Sequence, residues 1–223
     1  NMDLGIIQVT SNLKDGHPRH TFMLERVIPS CIKASNQNYV LVAPKESLLT
    51  QLVNDLGGKS IIYPGWDVDK MRKFRLGMQN LNTEWVGIFD DDIIPDEKWY
   101  ENMSEFLKDK KPGQYGFRLT NDLGERHEHG EDWMQFPSMS LQLPHRPLDY
   151  NVETGVVEDS PTAYVANSIV HRDVMEQIEP FGLFGNAPDV MWSFAIRKCG
   201  FPIGFNPKAR AYHVGDRQDN RKR

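Results

Sequence analysis

The feature that most constrains this sequence is a run of three aspartates, residues 90–92, that directly follows a short apolar stretch. Residues 86–89 of that stretch are typical of a strand buried inside a parallel sheet. A helix is predicted soon afterwards, because Pro95 cannot continue a central strand and apolar residues recur at helical spacing over residues 99–107. We therefore expect the aspartates in a tight turn at the carboxyl end of a strand, where open α/β sheets bind their ligands.

The three adjacent negative charges also point to a ligand. Like charges this close repel one another, and a hard divalent cation relieves the repulsion by taking oxygen ligands from the carboxylates. The pattern therefore predicts a metal site, and a solvated acidic turn is the alternative that it leaves open.

The composition bounds the class of protein. The 223 residues, with 39 % hydrophobic and 10 % aromatic residues, are typical of one globular domain of full size. A net charge of −5 argues against broad nucleic-acid binding, so no nucleic-acid partner is expected. No apolar run approaches the about 20 residues of a membrane span, so no transmembrane segment is predicted. Cys31 and Cys199 are too few for a disulfide framework, which favours a reducing, cytoplasmic location.

The first half of the chain alternates strand and helix patterns, which predicts a parallel sheet with right-handed crossovers. The predicted strands are residues 4–9, 39–43 and 60–63, and the predicted helices are residues 22–32, 48–56 and 67–81. Thr21 is a candidate cap for the first helix and Pro29 is expected to kink it.

The second half is less regular. Residues 120–160 show no sustained period, which is typical of a functional loop or a hairpin insertion. On either side, strands are predicted at residues 115–119, 163–170 and 209–214, and helices at residues 174–178 and 190–199.

These features resemble the glycosyltransferases of the GT-A fold, close to the family-2-like nucleotide-sugar transferases, over residues 4–215. Residues 89–92, FDDD, resemble the DxD motif of that family. Residues 186–205 are similar to the family's helix that starts with an acidic pair, with Asp189, Arg197 and Gly200 in the matching places. His213 resembles the histidine beyond that helix that often completes the metal site.

The resemblance implies an α/β fold of the GT-A type, an open, mostly parallel, Rossmann-like sheet flanked by helices, with a smaller antiparallel portion on the acceptor side. Residues 1–119 are then expected to form the nucleotide-sugar-binding half of a single domain, and residues 120–215 the acceptor-binding and catalytic half. Residues 216–223 are expected to be a polar tail, or a linker to further domains of a longer chain.

The implied activity is inverting, metal-dependent transfer of a hexosyl or deoxyhexosyl group from a nucleotide-diphosphate donor to a hydroxyl of a glycan or glycoconjugate. The expected cofactors are Mn²⁺ or Mg²⁺ and a nucleotide sugar, with a UDP-sugar as the commonest donor, and the expected second partner is a carbohydrate acceptor.

Two other functions stay open. A nucleotidyltransferase shares a related sheet and acidic metal site, but its glycine-rich basic loop is poorly matched by residues 10–20. A catalytically silent nucleotide- or carbohydrate-binding domain of a larger protein is the other, because Pro188 stands where the family often has a second acid. The family's aspartate after the second strand is also missing from residues 43–45.

For the metal and the reaction, the resemblance implies a role for each acidic residue. Asp92 and His213 are assigned to the metal, and Asp90 to the ribose and the metal, while Asp91 could serve either. Asp189 is assigned as the base that deprotonates the acceptor hydroxyl. The alternative for Asp189 is a helix cap, and for His213 a structural role.

For the nucleotide, Thr10 and Ser11 at the end of the first strand are expected to line the pocket. Lys70 and Arg72 are expected to contact the base or the diphosphate, although a solvated helix face explains them equally well. Tyr164 and Asn167, in the strand predicted before the acidic helix, are expected to face the sugar or the acceptor.

Overall fold

The structure is a computed structural model that describes residues 3–11, 17–64, 70–121, 167–178 and 188–213. Within them eight strands form one sheet: β1 Leu4–Val9, β2 Tyr39–Ala43, β3 Lys59–Ile62, β4 Trp85–Phe89, β5 Ile93–Pro95, β6 Gln114–Asn121, β7 Ser168–His171 and β8 Ile203–His213. The helices are α1 Pro18–Phe22, α2 Ile28–Ala34, α3 Leu48–Asp55, α4 Lys70–Gln79, α5 Trp99–Leu107, α6 Arg172–Gln177 and α7 Pro188–Lys198, and a π-helical segment, Met23–Val27, joins α1 to α2.

The sheet has the strand order β3-β2-β1-β4-β7-β6-β8-β5. Strands β3, β2, β1 and β4 pair in parallel, as the strand–helix alternation predicts. Beyond β4 the pairing becomes mixed, because β7 runs antiparallel to both β4 and β6, and β5 runs antiparallel to β8. The predicted α/β architecture, a mostly parallel sheet with a smaller antiparallel portion, is confirmed.

Helices cover both faces of this sheet. On one face, α1 to α3 and α5 pack on strand residues such as Leu4, Ile6 and Phe89. On the other face, α4, α6 and α7 pack on the alternate strand residues, including Ile7 and Ile88. Because successive side chains of a strand point to opposite faces, each central strand supplies both cores. This buried sheet explains why its strands are apolar almost throughout.

Several predicted elements differ in detail from those observed. His17, not Thr21, caps α1, since its Nδ1 accepts a hydrogen bond from the Arg19 N–H at 3.2 Å. Near Pro29 the helix is continuous but passes through a π-helical turn, in which the Ile28 N–H bonds the carbonyl of Met23. A missing proline N–H is accommodated by such a local change of winding.

The acidic turn is followed by a strand before its helix, which the sequence pattern did not predict. Strand β5 is only three residues long and lies at the edge of the sheet against β8. An edge position is where a strand tolerates a proline, so Pro95 is compatible with it. The predicted helix then begins at Trp99.

Two further findings concern the cysteines and membrane crossing. Cys31 is buried, Cys199 is exposed, and neither forms a disulfide. None of the helices among the described residues is long and apolar enough to span a bilayer.

We predict that Gly77→Ala destabilises the protein although alanine favours helices. A Cβ at this position in α4 meets Cγ2 of the buried Ile7 at 2.5 Å. We expect overpacking of this kind to cost about 1–3 kcal/mol in the free energy of unfolding, measured by urea denaturation. Gln79→Ala, at an exposed site on the same helix, is the control and is expected to leave stability unchanged or slightly higher. A Gly77→Ala variant as stable as the control would contradict the close packing of α4 on β1.

Candidate functional site

The acidic turn lies where the direction of chain progression across the sheet reverses. From β1 the chain moves outward through β2 to β3 and then returns to the other side of β1 as β4. Such a reversal opens a crevice at the carboxyl ends of the two adjacent strands, here β1 and β4. Thr10 and Ser11 follow β1, and residues 90–92 follow β4. The structure therefore brings together two groups of residues that the sequence assigns to one nucleotide site.

Asp91, the middle aspartate, turns into the protein. It is 7 % exposed, its Oδ2 accepts a hydrogen bond from Thr10 Oγ1 at 3.1 Å, and its Oδ1 lies 3.3 Å from Nη1 of Arg19 on α1. Burial raises the pKa of this carboxyl, the Arg19 guanidinium opposes the rise, and the neighbouring Asp92 and Asp90 charges add to it. Asp91 thus has protein partners for both of its oxygens.

Asp90 is held by an asparagine from β7's amino end. Its backbone N–H donates to Asn167 Oδ1 at 3.1 Å, and Asn167 Nδ2 donates back to Asp90 Oδ2 at 3.3 Å. Asn167 has φ +60°, a left-handed conformation that asparagine adopts more readily than most residues. Its own N–H bonds the carbonyl of Ile88 at 2.5 Å, which fixes it beside the end of β4.

The backbone of Asp90 is also held from the β1 side. Gln8 Nε2 donates to the Asp90 carbonyl oxygen at 2.7 Å, and Tyr39 Oη donates to Gln8 Oε1 at 2.6 Å. Both side chains are fully or almost fully buried. Burial raises the pKa of Tyr39 well above its ordinary value, so the phenol keeps the proton that it donates. Asp90 is therefore positioned by a side chain of β1 on one side of β4 and by Asn167, directly before β7, on the other.

The carboxylates of the other two aspartates suit a hard divalent cation. Asp90 and Asp92 are only half-buried, and carboxylate oxygens are the ligands that Mg²⁺ and Mn²⁺ prefer. In the pairing of β5 with β8, His213 lies opposite Ile93, the residue directly after Asp92. The register thus places the backbone of the predicted histidine ligand beside the turn, while its side chain lies outside the described residues. Among described side chains, no three acidic, histidine or cysteine groups converge as a formed metal centre.

Two other predicted site residues lie on α4. The helix leads back from β3 to the parallel strand β4, so its first residues lie at the carboxyl edge of the sheet. Lys70 is its first residue and Arg72 is exposed close by. Lys73, the residue after Arg72, is only 2 % exposed and so does not belong to an exposed basic helix face.

Asp189 is the second residue of α7, and its side chain lies outside the described residues, as does Tyr164. The helix itself is anchored by Trp192 and Ile196, which are buried against the sheet. The roles predicted for Asp189, Lys70 and Arg72 therefore stay predictions.

Sequence reasoning missed three residues of this site: Gln8, Tyr39 and Arg19. Gln8 carried a usable signal, because a glutamine inside an otherwise apolar buried strand needs a hydrogen-bond partner. No local sequence pattern indicates that Arg19 belongs to the site, because it contacts Asp91, which is 72 positions away in the sequence.

We predict that Thr10→Val lowers the free energy of unfolding by about 1–3 kcal/mol, because it leaves a buried carboxylate oxygen without its donor. Thr10→Ser keeps the hydroxyl and removes only a methyl group, so it is the matched control and is expected to lose less. Thermal and urea unfolding of both variants measure the difference. Equal losses would mean that the Thr10–Asp91 hydrogen bond adds nothing to stability.

Comparison with known proteins gives structural matches only. No protein-family profile matches the sequence, and no curated protein sequence is significantly similar to it. A crystal structure of GalNAc-T7 with UDP, GalNAc and Mn²⁺ matches with a TM-score of 0.67 and 15 % identity, covering 96 % of this chain and 44 % of that one. S. aureus TarS 1-349 in complex with UDP-GlcNAc matches with a TM-score of 0.63 and 12 % identity, covering 96 % of this chain and 58 % of that one.

This chain therefore spans less than two thirds of each of these proteins. The two matched proteins are glycosyltransferases of the GT-A fold. Together with the strand order and the position of the acidic turn, these matches show that the chain has the GT-A glycosyltransferase fold.

Proposed function

We propose that this protein is an inverting, metal-dependent glycosyltransferase that moves a sugar from a nucleotide-diphosphate donor to a hydroxyl of a glycan or glycoconjugate. The observation that carries the proposal is the acidic turn at the crevice between β1 and β4, with Asp91 bonded inward and Asp90 and Asp92 half-buried beside it. A cytoplasmic location, expected from the cysteine usage, belongs to the same proposal.

On the donor side, Asp92, Asp90 and His213 would hold Mn²⁺ or Mg²⁺, and Asp90 would also face the ribose. A divalent cation there would supply positive charge to offset the negative charge that develops on the departing nucleotide diphosphate. The matched structures contain UDP, UDP-GlcNAc and Mn²⁺, which supports a UDP-sugar as the donor.

The neighbouring residues bind and order the donor site. Thr10 and Asp91 contribute through the hydrogen bond that joins β1 to the turn, and Ser11 lines the pocket beside them. Lys70 and Arg72, at the start of α4, supply positive charge for the diphosphate.

On the acceptor side, Asp189 takes the proton from the attacking hydroxyl. The oxygen then attacks the anomeric carbon as the nucleotide diphosphate leaves from the opposite face, so a single displacement inverts the anomeric configuration. The place of Asp189 in the first turn of α7 supports this role, since a helix N-terminus favours the ionised carboxylate that a base requires.

We predict that one nucleoside diphosphate, with UDP expected, binds only in the presence of Mn²⁺ or Mg²⁺ and that Asp92→Ala removes this binding. Isothermal titration with UDP, GDP, CDP and dTDP, each with Mn²⁺ and with EDTA, measures it. The expected loss for Asp92→Ala is about 100-fold or more in Kd, which corresponds to about 2.8 kcal/mol.

Glu97→Ala removes an exposed carboxylate a few residues further along the same segment and is the matched control, expected to bind like the wild type. Binding that ignores both the metal and Asp92 would overturn the donor-site assignment. Binding without transfer to any acceptor in a glycan panel would instead favour a silent nucleotide-binding domain.

We predict that Asp189→Asn lowers the transfer rate kcat by about 10²- to 10⁴-fold, the usual contribution of a general base, with the donor Kd unchanged. Release of nucleotide diphosphate from the donor in the presence of an acceptor measures the rate. Asp55→Asn, at the exposed end of α3, is the control. Proton NMR of the product tests the stereochemistry, and retention of the donor's anomeric configuration would exclude the single-displacement route.

A further inference from the structure

Two buried hydrogen bonds lead from helix α7 to Ser168, and the peptide bond from Ser168 to Asn167 links them to the hydrogen bonds at the acidic turn. Trp192 Nε1 donates to Gln114 Oε1 at 2.9 Å, and Gln114 Nε2 donates to Ser168 Oγ at 2.8 Å. Ser168 follows Asn167, whose amide group makes the two hydrogen bonds to Asp90. We name these four residues, Trp192, Gln114, Ser168 and Asn167, the α7–turn chain.

The α7–turn chain runs through the apolar core. Its four residues are at most 7 % exposed, and Trp192 belongs to the buried apolar cluster that includes Val86, Ile88 and Ile196. Ser168 pairs with Ile88 on β4 and with Gly116 on β6, so the α7–turn chain crosses the sheet at its centre. In such surroundings each polar group depends on its neighbour, because no water replaces a lost partner.

A second tryptophan shows that the fold does not require such a bond. Trp99 is also fully buried, yet its Nε1 has no hydrogen-bond partner among the described residues. Burial alone therefore does not explain why the Trp192 indole is directed at Gln114. Apolar packing tolerates small sliding movements, whereas a hydrogen bond fixes both distance and direction.

We propose that the residues of the α7–turn chain are positioning residues, which hold the helix carrying Asp189 in register with the donor site at Asp90. This inference rests on the proposed function, in which Asp90 belongs to the donor site and Asp189 is the base. Trp192 lies one turn after Asp189 on α7, and Asn167 contacts Asp90 directly, so the chain joins the elements that carry the two halves of the reaction.

The first experiment tests the chain without any activity. Trp192→Phe identifies the Trp192 indole N–H signal among the five tryptophans in a ¹⁵N–¹H NMR spectrum. Gln114→Met is expected to shift that signal upfield and to speed its exchange with solvent. Asn167→Gly, at the far end, is expected to move the same signal in the same direction. If Asn167→Gly leaves the Trp192 indole signal unchanged, a change at the acidic turn does not alter the position of Trp192, and the inference is overturned.

The second experiment measures transfer kinetics. We expect Trp192→Phe to lower kcat about tenfold with the donor KM nearly unchanged, because a small displacement of a reacting group costs rate rather than binding. Trp99→Phe removes an equally buried indole whose N–H has no partner among the described residues, and is expected to change neither constant. Equal effects of the two variants would overturn the inference.

A double variant separates a continuous chain from two local effects. If the chain acts as a unit, Trp192→Phe with Asn167→Gly is no slower than the slower single variant, whereas independent effects multiply. Failure of the proposed function would appear in the nucleotide titration, and failure of this inference in the indole spectrum and the double variant, so the two results are distinguishable.

Discussion

The arrangement of the site depends on the way buried hydrogen bonds hold the backbone of Asp90. Its N–H is bonded by Asn167 from one side and its carbonyl by Gln8 from the other. A buried polar group that loses its partner costs about 1–3 kcal/mol, so neither contact is easily exchanged for another. The end of β4 is therefore held from both sides, by Gln8 of β1 and by Asn167 directly before β7, and this fixes the position of the aspartates that follow β4.

Fixing this turn gives three adjacent carboxylates different environments. Asp91 faces inward, where Thr10 and Arg19 bind its oxygens and burial raises its pKa. Asp90 and Asp92 remain half-buried beside the crevice. Because the Arg19 guanidinium partly compensates the charge of the Asp91 carboxylate, the three aspartates do not repel one another equally. Asp91 links β1 and α1 to the turn, and Asp90 and Asp92 are the residues that the proposed function assigns to the cation and the nucleotide.

Much of the first half of the fold could be predicted, because its signals are local. The bounds of β1 and β2 match the predicted strands, and α4 lies within the predicted helix of residues 67–81. Strand β5 escaped prediction because three residues carry no period, and it exists only through pairing with β8. The cap of α1 escaped because a histidine, an unusual capping residue, supplies the acceptor.

The sequence by itself determined the fold class and the place of the acidic turn, since periodicity, breakers and the DxD-like motif all act over short stretches of chain. Only the tertiary structure decided which aspartate turns inward and how Asp90 is held. Those outcomes depend on contacts between residues 72 to 82 positions apart, as for Arg19 with Asp91 and Gln8 with Asp90. A side chain's partner across a sheet is set by strand order and register, which no local pattern encodes.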